Sequence, residues 1–173
     1  DRFSPQPFVI NQRMATLYRW LTHSAATRKS ESSNERASIV VTPASSLLHP
    51  VPSRERIREQ TLHLELGHHL DRDLLAQRLL RHSYHRKPLV EEPGEFRARG
   101  DIVDIYPPHS PPPVRIELFG EEIESIRAFD AITQRSLDSL GYAIAPPSKE
   151  LTPSRDLIIE RQGLIRKLAE DQG

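Results

Sequence analysis

Residues 94–130 read GEFRARGDIVDIYPPHSPPPVRIELFGEEIESIRAFD, and the alternation inside this stretch decides the fold. Successive side chains of a strand point to opposite faces, so a period of two separates a buried face from an exposed one. Over Glu95–Arg99 that period places Phe96 and Ala98 on one face and Arg97 and Arg99 on the other. Gly100-Asp101 signals a tight turn or bulge, and Ile102–Tyr106 then continues as strand until Pro107-Pro108. Val114–Phe119 alternates cleanly, with Val114, Ile116 and Leu118 toward a core and Arg115, Glu117 and Phe119 outward. Gly120-Glu121 leads into a further strand, Glu122–Phe129, and Asp130–Thr133 turns the chain again. Between these strands, Pro111-Pro112-Pro113 has fixed φ and no amide donors, which predicts a rigid hairpin loop over His109–Pro113 in preference to a PxxP-type ligand.

Moving back from this stretch, Leu70 and Asp71 open a helix, Asp71 as N-cap and Leu70 stapled to Leu75, with Leu74, Leu75 and Leu79 as the buried stripe. Thr61–Leu66 alternates as a strand with one buried face, so His63 points to solvent. Pro50–Arg54 is a natural boundary. Before it, Ser38–Thr42 is a β-branched run typical of a strand buried on both faces, and Ser24–Ala37 is polar linker. Ile10, Met14, Leu17 and Leu21 mark one face of a helix over Val9–His23, against which Tyr18 and Trp20 are expected to pack. After the central stretch, Gly141–Ala145 offers a last strand and Pro146-Pro147 closes the module. Ser154 then caps a helix carrying Leu157, Ile158, Leu164, Ile165 and Leu168, an apolar stripe with no partner inside the small module.

Composition narrows the function. The chain has 173 residues, 24 basic against 24 acidic, so no net field draws it to nucleic acid or anionic lipid. It has no cysteine, which excludes disulfides, thiolate zinc sites and cysteine nucleophiles and is compatible with a reducing cytoplasm. No apolar run approaches the roughly 20 residues that span a bilayer, and no secretory signal is visible. The chain opens on Asp1 rather than Met, as a piece of a longer protein would.

Catalytic constellations are missing: no GxxxxGK[ST], GxGxxG, GxSxG or HExxH occurs. The carboxylate pairs Glu91-Glu92 and Glu121-Glu122 sit in turns, where solvation gives little reason for the raised pKa of an acid/base pair. His68, His69, His82 and His85 lack the i,i+4 spacing with which two ligands share a helix face. What rises above background is the outer face of the central strands, where Phe119 stands beside arginines, the residue types that dominate binding hot spots. The pattern leaves two readings open. Either this face docks a partner, or a loop covers Phe119 and the arginines form cross-strand pairs with Glu117 or Glu95.

The residues 94–136, GEFRARGDIVDIYPPHSPPPVRIELFGEEIESIRAFDAITQRS, resemble a segment of the bacterial transcription-repair coupling factors (Mfd) and, more distantly, of the excision-repair helicases UvrB. Arg13–Leu21, Ile39–Leu48 and Leu66–Leu80, where the second helix starts on a G-x-x-LDRDxL pattern, extend the likeness more weakly. FDAITQRS favours the coupling factors, since UvrB has a DPLTG type of ending. Tyr106 and Glu121 depart from the usual Phe and Asp, and the Ser/Asn-rich insertion at Thr27–Arg36 is longer than typical.

The resemblance implies an α+β fold: a small, mostly antiparallel sheet module with one packed helix, inserted in part of an α/β helicase-like domain. Residues 1–54 would be a partial α/β segment, 55–147 the UvrA-binding module, and 148–173 a helix returning to the α/β domain. The family's contacts with UvrA, the damage-recognition ATPase, carry over to Arg99, Arg115 and Phe119, with Arg97 and Glu117 by similarity to UvrB. The implied role is non-catalytic and without cofactor or metal. The ATP-dependent motor and the contacts with RNA polymerase and double-stranded DNA would lie outside this chain. The rivals are the equivalent UvrB region and a nucleic-acid-contacting helicase fragment.

Overall fold

A computed structural model describes residues 7–26, 41, 51–109 and 112–149. The expected strand at 38–42, apart from Val41, and the closing helix from Ser154 lie outside the described residues. The architecture is α+β and sheet-dominated, with one six-stranded sheet and a separate two-stranded ribbon. The core of the sheet is β3 (Glu95–Arg99), β4 (Ile102–Ile105), β5 (Val114–Phe119) and β6 (Glu122–Phe129), all antiparallel neighbours. Its edges are β2 (His85–Arg86), parallel to β3, and β7 (Ser136–Ser139), antiparallel to β6. The ribbon pairs β1 (Leu62–Glu65) with β8 (Tyr142–Ala145).

One apolar cluster fills the space between the inner face of the sheet, the ribbon and helix α3 (Arg72–Arg81). Phe96, Val103, Ile105 and Ile116 are fully buried there, on the parity that alternation assigns to the core. Leu62 and Leu64 join them from the ribbon, and Leu75, Ala76 and Leu79 from α3. Asp71 caps α3 as expected, its side chain accepting from the Leu74 N–H at 2.8 Å. The stripe is rotated by a fraction of a turn from the expected one: Ala76 is buried, while Leu74 is 43 % exposed.

Helix α1 (Pro7–Ala26) runs past the expected end at His23 and buries Met14, Tyr18 and Leu21. It grips the sheet module at two points. Asn11 donates to the Pro93 carbonyl at 2.7 Å and accepts from the Ser148 hydroxyl at 2.8 Å. Nearer its C-terminal end, Arg19 donates to the His109 carbonyl at 3.0 Å, and the Tyr18 and His109 rings meet edge to face at 4.8 Å. Trp20 does not pack as expected. It falls outside the buried stripe of Met14, Tyr18 and Leu21 and is 54 % exposed.

Short helix α2 (Arg54–Glu59), capped by Ser53 and anchored by buried Ile57, occupies a span with no legible periodicity. Among the described residues no helix is long and apolar enough to cross a membrane.

Candidate docking face

The hairpin registers assemble the outer face row by row. In one row Arg97 lies opposite Asp104, Asp104 opposite Arg115, and Arg115 opposite Arg127. In the next, Arg99 lies opposite Ile102, Ile102 opposite Glu117, and Glu117 opposite Ser125. Four strands thus bring together residues that the sequence separates by up to 30 positions. The β3–β4 turn that makes this register is only Gly100-Asp101, and Gly100 adopts φ +57, a conformation that side-chain-bearing residues rarely take. The turn is held from outside by Arg72, which donates to the Gly100 carbonyl at 2.8 Å.

Arg97, Arg99 and Arg115 line one open depression of about 520 Å³, with Asp101, Ile102 and Asp104 between them. The three arginines are not equivalent. Arg115 donates a forked pair of hydrogen bonds to Asp104, Nε to Oδ1 at 2.7 Å and Nη2 to Oδ2 at 3.1 Å. Its Nη1 donates to the Gln134 carbonyl at 3.3 Å, and its guanidinium lies over the Phe129 ring, 4.9 Å from the centroid. The hydrogen bond to Asp104 raises the Arg115 pKa further, with burial working the other way. Arg97 and Arg99 have no hydrogen-bond or ion-pair partner among the described residues, so their donors remain available to a partner.

The alternative reading, in which these arginines pair with Glu117 or Glu95, has no such ion pair among the described residues. Glu95 accepts the backbone N–H groups of Glu91 and Glu92, and Glu117 accepts from the Ser125 hydroxyl at 2.7 Å with Arg127 at 3.9 Å. Nor does a loop among the described residues cover Phe119, which is 78 % exposed at the end of β5. All five expected residues therefore share one face, Phe119 and Arg99 most openly and Arg115 least.

Three residues of the site escape the sequence pattern. Asp104 has outer-face parity, yet it is 2 % exposed because Arg115 covers it. Phe129 shares that parity and is fully buried beneath the same guanidinium. Gln134, at φ +60, closes the group with its carbonyl. The antiparallel register that sets Asp104 opposite Arg115 is the signal that would have found Asp104, and it requires the loop length and turn to be known first.

The histidines do not converge. His68 lies 3.5 Å from Glu65 and His69 2.8 Å from Glu121, and no group of three metal-ligating side chains occurs among the described residues.

The family model for the UvrB interaction domain matches residues 62–151. The transcription-repair-coupling factor of Bacillus subtilis is 42 % identical over 118 residues, 68 % of this chain and 10 % of that protein. The Myxococcus xanthus coupling factor is 39 % identical over 114 residues, 66 % of this chain and again 10 % of the relative. UvrABC system protein B of Methanobrevibacter smithii is 32 % identical over 156 residues, 90 % of this chain and 23 % of the relative. The chain thus spans about a tenth of the coupling factors and under a quarter of UvrABC system protein B. With the family model covering more than half its length, this chain belongs to the UvrB interaction domain family.

Proposed function

We propose that this chain is the region of a transcription-repair coupling factor that docks UvrA and so recruits excision repair to stalled transcription. The carrying observation is that Arg97, Arg99 and exposed Phe119 stand together on one face of a UvrB interaction domain. Charge-assisted hydrogen bonds from Arg97 and Arg99 would engage acidic groups of the partner, and Phe119 would be buried in an apolar recess. Arg115 and Glu117 complete the face. The role is that of an adaptor, with no catalytic step, cofactor or metal assigned to this chain. The motor, the contacts with RNA polymerase and double-stranded DNA, and a cytoplasmic setting belong to the proposed whole protein.

Two coupling factors at 42 % and 39 % identity support this assignment over UvrB, whose relatives match more of the chain at lower identity. Against a nucleic-acid-binding role stand the zero net charge and Asp104, which occupies the fork of Arg115. Calorimetric titration with UvrA tests the reading: Arg99→Ala and Phe119→Ala should each weaken binding about tenfold or more. Affinity that falls steeply with salt and ignores Phe119 would favour nucleic-acid contact instead.

A further inference from the structure

The loop that follows β6 is fastened to the docking face. Its Gln134 carbonyl accepts from Arg115, whose guanidinium sits on the outer side of the sheet over Phe129. The Gln134 side chain donates to the carbonyls of Val90 and Ala131 at 3.1 and 2.6 Å. At the front of the loop, the Asp130 carboxylate accepts the N–H groups of Thr133 and Ile132 at 2.6 and 3.1 Å, and hydrogen bonding to Thr133 above all lowers the Asp130 pKa. The tip so fixed presents Ile132, 91 % exposed.

From these contacts we infer that Ile132 is a second apolar anchor of the docking face, and that Arg115 acts in docking chiefly as the residue that positions its loop. The inference rests on the docking reading and names UvrA as the partner. Distances support it. A standard interface covers about 800 Å² per partner, a disc roughly 32 Å across. Centred on the Arg97–Asp104–Arg115 row, such a disc has a radius of about 16 Å. At about 3.3 Å per residue, Phe119 lies about 13 Å along β5 from Arg115. On the opposite side Gln134 touches Arg115 directly, and Ile132, two residues away, is within about 7 Å of it along the chain. Phe119 and the Ile132 loop thus flank the Arg115 row from opposite ends of β5, with Arg97 and Arg99 two strands away in the Arg115 and Glu117 rows. A loop already held by five hydrogen bonds that involve a side chain, and by two more along its backbone, loses little freedom on binding, so an apolar side chain at its tip adds affinity at small entropic cost.

A polar role for Arg115 through the loop differs measurably from direct contact. Arg115→Lys retains the charge but not the planar fork that reaches Asp104 and Gln134 together. In titrations of the whole chain with UvrA, Ile132→Ala should weaken binding about tenfold with unchanged thermal stability, whereas Leu137→Ala, exposed on edge strand β7, should leave it unchanged. Arg115→Lys should weaken binding similarly, and its effect should not multiply with that of Ile132→Ala, while the effects of Arg99→Ala and Ile132→Ala should multiply. If Arg115→Lys impairs folding, Gln134→Gly tests the fastening of the loop instead, since glycine suits φ +60 and keeps the carbonyl that Arg115 grips but drops the side-chain ties to Val90 and Ala131.

Ile132→Ala within twofold of the parent, with Arg99→Ala and Phe119→Ala still weakening binding, overturns this inference and leaves the docking face standing. Multiplying effects of Arg115→Lys and Ile132→Ala overturn the positioning role. No weakening from any of these variants overturns the docking face and the inference with it.

Discussion

Replacing Asp104 by Asn tests how the docking face is held together. The carboxylate is 2 % exposed and receives both arms of the Arg115 fork, whose side chain is 18 % exposed. With charge centres about 4 Å apart and an effective dielectric near 20, the attraction is about 4 kcal/mol. Desolvation of the carboxylate offsets much of this in the native protein. Arg115 also keeps the Phe129 ring and the Gln134 carbonyl after the change, and Asn can still accept one hydrogen bond. The net cost is therefore about 2 kcal/mol for Asp104→Asn and nearer 3 kcal/mol for Asp104→Ala. Adding Arg115→Gln to Asp104→Asn leaves two neutral amides and removes the uncompensated charge, so the double variant should be more stable than the sum of the singles by about 1 kcal/mol or more. Urea unfolding of the four proteins, with an unchanged m-value, reads this out. A cost below about 0.5 kcal/mol for Asp104→Asn, or strict additivity in the cycle, would refute the view that this pair organises the face.

Other perturbations probe the clasp of α1. A Cβ on Gly94, at φ +87, would lie 2.5 Å from the Ser148 hydroxyl and 3.2 Å from the Asn11 amide, so Gly94→Ala should cost about 2–4 kcal/mol and lower hydrogen-exchange protection of α1 selectively. His109 is pushed down from 6.5 to about 4 by burial, with Arg19 adding to the effect. Its neutral form is the one that fits, so the contribution is complete above pH 6.5 and is lost as pH falls toward 4, because the unfolded chain takes up the proton first. Exchange protection of α1 should decline across that window in the parent and stay level in His109→Gln; equal decline in both would exclude His109 as the cause.

Much of the docking face was legible because period two is a local property. Phe96 against Arg97, and Ile116 against Arg115 and Glu117, can be assigned from neighbours alone. Elements that exist through a partner strand were not legible. His85-Arg86 is exposed on both residues and becomes β2 only by pairing with β3, and β7 is exposed along its whole length with no alternation to reveal it. Burial on the outer face was hidden for the same reason. Asp104 and Phe129 are covered by Arg115, a residue on another strand, and only the folded register brings that cover into place. In the helices the cap was plain and the rotation was not. Asp71 is a local signal, whereas the exposure of Leu74 and Trp20 depends on which neighbours each helix meets.

The most direct measurement is calorimetric titration of UvrA with the parent chain and with Arg99→Ala/Phe119→Ala, both residues being exposed enough to leave stability intact. The docking account predicts that the folded double variant binds at least about 100-fold more weakly than the parent. Parent-like affinity in that variant would contradict it.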